Sequence, residues 1–201
     1  MIRVLLAEDQ AMVRGALAAL LNREQDVTIV AEVGRGDEVL AAALNTVPDV
    51  ALLDIEMPGA TGIEAAAELH AHLPACKVLI LTTFGRPGYL HRAMKHGVVG
   101  FLVKDAPAAQ LGTAIRRAVA GERVVDPLLA TAALSEGDNP LTEREQTVLQ
   151  LVRQGASNAE IADSLILTEG TVRNYLSTAM QKVNASTRAE AAARAEQKGW
   201  L

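Results

Sequence analysis

The stretch VALLDIEMPGATG, residues 50–62, runs four apolar residues into Asp54, places a second acid at Glu56 and then turns at Met57-Pro58-Gly59. A short, continuous apolar run of this kind is what a strand covered on both faces looks like. Four other runs share its character: IRVLLA (2–7), VTIVAEV (27–33), KVLILTT (77–83) and GFLV (100–103). Amphipathic helical patterns lie between and after them, at 10–22, 36–45, 62–72, 87–96 and 107–120. Five βα repeats call for a parallel sheet with right-handed crossovers and helices on both faces. The expected fold of residues 1–121 is therefore α/β, an open (βα)5 doubly wound parallel sheet.

At 201 residues the chain suits two modest domains, and with half of its residues apolar it can bury a core. Its single cysteine, Cys76, excludes an intramolecular disulfide and fits a reducing cytoplasm. No apolar run approaches the ~20 residues that a membrane span needs. The N-terminus MIRVLLAED turns acidic too soon for a signal peptide. A soluble cytoplasmic chain without membrane insertion is expected. The net charge of −5 is uneven: −2 over residues 1–121, −3 over 122–140 and 0 over 141–201.

Past residue 121 the pattern weakens. GERVVDPLLATAALSEGDNP (121–140) ends in Gly, Asp, Asn and Pro, which is linker chemistry, so 122–140 is expected to join two domains. From 141 to 201 only helices are indicated, giving an all-α four-helix domain. Thr142 with Glu145 forms a capping box for a helix near 143–153 that stops at Gly155. Ser157 caps 158–165, Thr168 caps 169–183, and Thr187 caps a last helix to about 197.

In an open parallel sheet ligands bind outside the C-terminal strand ends, where the strand order reverses. Strand 1 ends in Glu8-Asp9, strand 3 in Asp54 with Glu56 beyond it, strand 4 in Thr82-Thr83 and strand 5 in Lys104. With the order 2-1-3-4-5, Glu8, Asp9 and Asp54 converge. Three carboxylates at close quarters repel and call for a cation, and oxygen donors with open positions suit Mg²⁺. Lys104 and the Thr82 hydroxyl then look like holders for an incoming anion. The set suits phosphoryl transfer, with Asp54 as the central nucleophile.

In the C-terminal part, NAEIADSLILTEGTVRNYL (158–176) offers Ile161, Ala162 and Leu165 on one helix and Val172, Leu176 and, beyond it, Met180 on the next. This is helix-turn-helix spacing, with the second helix directed to the DNA major groove. Its exposed face would offer Thr171, Arg173, Asn174 and Ser177, with Lys182 further along. Arg and Asn are the side chains best suited to reading G and A edges bidentately.

On these residues, 1–121 resembles the receiver domain of two-component response regulators: the Glu8-Asp9 pair, Asp54 followed by DIEMPG, Thr82, Phe101 and Lys104. The pattern L-T-x-R-E, G-x-S-N-x-E-I-A and T-V-R-N-Y over 141–201 resembles the LuxR-type DNA-binding domain. Together they resemble the NarL/FixJ class, whose fold is a flavodoxin-like sheet followed by a helix-turn-helix. The resemblance implies that Asp54 accepts a phosphoryl group from a sensor histidine kinase. It further implies Mg²⁺ on Asp9, Asp54 and the Glu56 backbone carbonyl, with Glu8 acting from behind them. Thr82 and Lys104 would contact the phosphoryl oxygens, and Phe101 would turn inward on activation. A homodimer formed on phosphorylation would then bind two half-sites of double-stranded DNA. Two departures stand out: Asp105 follows Lys104 where many receivers have proline, and Tyr175 stands where many relatives have histidine. TTFGRPGYLHRAMKHG (82–97) and GTVRNY (170–175) are most similar to regulators of membrane-lipid desaturation within the class.

A transcriptional regulator rather than an enzyme is thus expected. One alternative is a Mg²⁺-dependent phosphatase with Asp54 as nucleophile. Against it, Asp54 follows the third strand and not the first, begins D-x-E and not D-x-D, and no substrate cap is present. The other alternative is a regulator of receiver type that works without phosphate, against which the complete acid, Thr and Lys set speaks.

Overall fold

The computed structural model describes residues 1–83, 87–104, 108–127, 129–131 and 139–201. Asp105, the expected helix start at 107, and residues 128 and 132–138 of the expected linker lie outside them. Two compact units are formed, one from Met1–Gly85 and Leu90–Ala132, the other from Arg86–Tyr89 and Ala133–Leu201.

The apolar runs of the first unit become β1 (Ile2–Ala7), β2 (Val27–Val33), β3 (Val50–Asp54), β4 (Lys77–Thr82) and β5 (Val98–Val103). All pair in parallel, in the order β2-β1-β3-β4-β5 and then a sixth strand. That strand, β6, is Val124–Val125 beside Gly100 and Phe101. The chain thus stays on the sheet into the segment expected to be linker.

Between the strands run α1 (Ala11–Leu21), α2 (Val39–Thr46, entered through a 3-10 turn at Gly36–Glu38), α3 (Gly62–His72), α4 (Pro87–Lys95) and α5 (Ala108–Val119). Strand alternation sorts the core. Val4, Leu6, Val50, Leu52, Leu79 and Leu81 pack with Ala18 and Leu21 of α1 and with Leu111 and Ile115 of α5. Leu5, Leu53, Ile80 and Phe101, next to them in the strands, are fully buried on the opposite face. Each such side chain contributes about 1.5–3 kcal/mol. All five residues of β3 are buried, Asp54 included, which fixes the central strand and carries its last carboxylate to the sheet edge.

The second unit is α6 (Glu143–Arg153), α7 (Asn158–Leu165), α8 (Glu169–Lys182) and α9 (Arg188–Gln197). Thr142, Ser157, Thr168 and Thr187 each accept a backbone N–H of the first turn, as expected of N-caps. Val148, Leu149, Ile161, Val172, Leu176 and Ala191 form the centre of its core.

Between α7 and α8 the chain turns at Ile166, which has φ 55° and ψ 50° and is 93% exposed. A β-branched residue in the left-handed region is strained, and glycine or asparagine ordinarily closes a helix there. Ile166→Asn is expected to stabilise the unit by about 0.5–1 kcal/mol in thermal unfolding. A loss of stability would instead show that contacts hold the isoleucine side chain.

Candidate functional site

The register decides which side chains meet. Ala7 pairs with Leu53, so Glu8 and Asp54 follow at neighbouring strand ends. Thr82 pairs with Val103, and the Lys104 amide donates to the Thr82 carbonyl at 2.7 Å. The carboxylates of Glu8, Asp9 and Asp54 each bring an oxygen within 4.8 Å of the others. Glu8 and Asp54 are buried and Asp9 is exposed. Lys104 Nζ lies 2.6 Å from Glu8 Oε2 and 3.1 Å from Asp54 Oδ2.

Asp54 Oδ1 accepts the Ile55 N–H at 2.8 Å. Glu8 Oε1 accepts the Gln10 N–H at 3.3 Å. Glu8 Oε2 is buried without an aligned hydrogen bond, so Lys104 holds it by charge. Burial pushes the Asp54 carboxyl above its ordinary pKa against the pull of Lys104, and the Glu8 charge adds to the rise. For Lys104 burial works the other way, but Glu8 and Asp54 more than offset it and raise its pKa. The ammonium therefore stays charged between two acids.

The donor set fits a hard divalent cation. All its donors are oxygens, one carboxylate oxygen lacks an aligned hydrogen bond, and exposed Asp9 leaves the site open to water, which is the environment Mg²⁺ prefers. Glu56 lies in the bend after β3 with its side chain exposed, and no described hydrogen bond uses its carbonyl. Thr82 is buried at the end of β4. Phe101, the expected switch, is already fully buried in β5. The sequence reading passed over Arg14, whose guanidinium donates to the Glu8 carbonyl at 2.5 Å. A base on an otherwise apolar α1, shortly after the acidic pair, is the signal that marks it.

On α8, Arg173, Asn174 and Ser177 are exposed and Thr171 is half-buried. Thr171 lies against the cap, its N–H donating to Thr168 Oγ1 at 3.1 Å. Arg173 makes only a loose contact with Glu169, at 3.9 Å, a kind of surface pair that contributes little. Lys182 is placed differently from the other four. Its Nζ lies 2.7 Å from Glu145 Oε2, whose side chain is 5% exposed, so it ties α8 to α6 rather than extending the exposed row. Three other bases also serve the unit itself. Arg153 pairs with Glu196, Arg188 reaches Asn158 and the Ala156 carbonyl, and Arg194 reaches Glu190 and the carbonyls after α8.

Residues 4–116 match the family model of the response regulator receiver domain, and residues 139–195 that of the bacterial regulatory proteins of the luxR family. Over the full length of both chains the protein is 48% identical to the uncharacterized transcriptional regulatory protein YvfU and 47% identical to the transcriptional regulatory protein DesR, both of Bacillus subtilis strain 168. Among solved structures, the response regulator ChrA of a heme-sensing two-component system is 33% identical, with a TM-score of 0.59 over 100% of this chain and 98% of that one. No helix among the described residues is long and apolar enough to cross a membrane. A parallel sheet with an acidic pocket at its switch point, followed by a capped helix-turn-helix and matched by both family models, places this chain among the two-component response regulators of the NarL class with a LuxR-type DNA-binding domain.

Proposed function

We propose that the protein is a cytoplasmic transcription regulator switched by phosphorylation of Asp54 by a sensor histidine kinase. The observation that carries this reading is the meeting of Glu8, Asp9 and Asp54 with Lys104 at the ends of three strands. Asp54 Oδ attacks the phosphoryl group of a phosphoimidazole. The N–P bond breaks, an O–P bond forms, and the kinase histidine leaves. Mg²⁺ held by Asp9, Asp54 and the Glu56 carbonyl supplies neutralising charge when bound, with Glu8 behind them. Lys104 and Thr82 hold the phosphoryl oxygens, so the positioning is this chain's own work.

The new group adds about −1.5 to −2 charge beside Lys104. Driving a two-state receiver from 1:99 to 99:1 needs roughly 5.5 kcal/mol. Three charge-assisted bonds at about 2 kcal/mol each, within the range of about 1.5–3, are enough. Phe101 acts as the packing element that the active state holds in its inward position.

Dimerisation through α1 and α5 is the form the surface supports. Ala11, Met12, Gly15, Ala16, Ala19 and Leu20 are the exposed residues of α1, and none is charged. Pairing would bring two α8 helices to adjacent DNA half-sites, with Thr171, Arg173, Asn174 and Ser177 toward the bases. The neutral charge of residues 141–201 and the internal use of most of their bases fit a monomer that binds DNA weakly and gains by pairing. Control of membrane-lipid desaturation is the finer reading. Only the resemblance in residues 82–97 and 170–175 supports it, because identity to DesR and YvfU is nearly equal.

Sedimentation of the purified chain with Mg²⁺, with and without beryllofluoride as a mimic of aspartyl phosphate, tests the switch. A monomer-to-dimer shift is expected, and Asp54→Ala should abolish it. An unchanged mass in the parent chain would refute phosphate-gated dimerisation.

A further inference from the structure

The loop that follows the acceptor, residues 55–61, is pinned from two sides. At its far end the Gly62 amide donates to the Ile55 carbonyl at 2.9 Å, and a Cβ on Gly62 would stand 1.9 Å from the Asp54 carbonyl oxygen. In its middle it is held by the turn between β2 and α2. The Gly36 amide donates to the Pro58 carbonyl at 3.0 Å, and a Cβ on Gly36 would stand 1.9 Å from the Ala60 carbonyl oxygen. Only glycine permits that approach. One residue on, the Asp37 carboxylate covers Gly59. Gly59 has φ +85°, and a Cβ there would meet the carboxylate atoms at 2.3–2.4 Å. Arg35 in turn fixes Asp37 through two hydrogen bonds, of 2.9 and 2.7 Å.

A cavity of about 320 Å³, lined by Gly36, Asp37, Leu40, Ala60 and Ala65 among others, opens beside the junction. Ile55 and Met57 anchor the start of the loop in the core, and the turn holds its middle, from Pro58 to Ala60.

We propose that Arg35, Gly36 and Asp37 form a clamp that positions the acceptor loop, and through it the Asp54 carboxylate and the Glu56 carbonyl, for Mg²⁺ and the phosphoryl group. The proposal rests on the acceptor reading of Asp54. None of the three is a catalytic residue. They act through Pro58, Gly59 and Ala60, in the manner of outer partners whose loss weakens metal affinity about 10–100-fold.

Charge and position predict opposite results for one variant. Arg35→Ala removes a positive charge from the neighbourhood, which by charge alone would tighten Mg²⁺. By releasing Asp37, the clamp predicts weaker binding. The test is a Mg²⁺ titration of the full chain followed by amide chemical shifts. Labelling by acetyl phosphate and the melting temperature in EDTA are measured alongside.

Arg35→Ala and Asp37→Ala are each expected to weaken Mg²⁺ about tenfold and to slow labelling in proportion, with melting in EDTA unchanged. Gly36→Ala should do the same more strongly and melt lower. Parent-like Mg²⁺ affinity in Asp37→Ala, or equal or tighter binding in Arg35→Ala, would overturn the clamp. A parent chain that binds Mg²⁺ but does not label would refute the acceptor reading, and the clamp's role in phosphorylation with it.

Discussion

Asp54→Asn is expected to lose all phosphoryl incorporation, from acetyl phosphate or from a kinase, and yet to melt higher than the parent chain. The loss follows from chemistry, since an amide oxygen does not form the acyl phosphate. The gain follows from burial. Asp54 is buried beside Glu8, and its pKa is raised in the fold, chiefly by desolvation. A carboxyl with a raised folded pKa binds its proton more tightly in the native state than in the unfolded chain. Its contribution to stability therefore falls as pH rises from the unfolded value, about 3.9, toward the folded one, and at neutral pH the full penalty stands. Asparagine removes that penalty and keeps the shape. A gain of about 1 kcal/mol at pH 7 is expected, fading to nothing below pH 4. Thermal unfolding across pH measures it, and Phos-tag electrophoresis measures the labelling. A lower melting temperature for the variant would mean that the 3.1 Å attraction to Lys104 outweighs burial. Persistent labelling would move the acceptor elsewhere.

Much of the fold was legible because its signals are local. The strands read as unbroken apolar runs, since both faces of a parallel sheet are covered, and β1, β2 and β3 lie where those runs lie. The helix starts of the second unit were legible for the same reason, as a cap and its partner sit within four residues. The acidic pocket followed from the acids at strand ends combined with one topological rule, the reversal of strand order.

What escaped has a physical cause in each case. β6 is two residues long, too short to carry a period. Ile166 and Val47 adopt left-handed conformations without the glycine or asparagine that would announce them. The clamp at Gly36 is a contact between residues more than twenty apart, which no local pattern encodes. Lys182 is different again. At about 100° per residue it lies half a turn from Arg173 but within about 20° of Thr171, so helical phase does not decide its role. The deciding contact is with buried Glu145, 37 residues earlier in the chain.

That pair carries the largest expected effect on the second unit. Glu145 is 3% exposed, and its Oε2 accepts both the Thr142 N–H and Lys182 Nζ at 2.7 Å. One carboxylate thus closes the capping box of α6 and anchors the last turn of α8, the helix proposed to enter DNA. Glu145→Ala leaves the Thr142 N–H without its acceptor and the Lys182 ammonium without its partner. Removing one member of a buried pair costs about 3–5 kcal/mol, and a lost cap about 1. Lys182 is about one-third exposed, which reduces the first figure, so a net loss of about 2–3 kcal/mol is expected. At about 4–8 °C per kcal/mol for a unit of this size, melting should fall by about 8–24 °C.

Glu145→Gln separates the two roles. It retains a capping-box acceptor and loses the charge, so roughly half of the effect should remain. The pH dependence has a definite sign. Burial opposes ionisation of Glu145, but the bonds from Lys182 and Thr142 prevail and hold its pKa below the ordinary value. Its contribution is therefore complete above the unfolded value, about 4.3, and is lost as pH falls through the lower folded one. Glu145→Gln should remove that acid-side loss while leaving the neutral range flat. If Glu145→Ala melts with the parent, the tie between α6 and α8 is incidental. The placement of α8 would then rest on Val172, Leu176 and Ala179 in the core, whose packing the substitution leaves untouched.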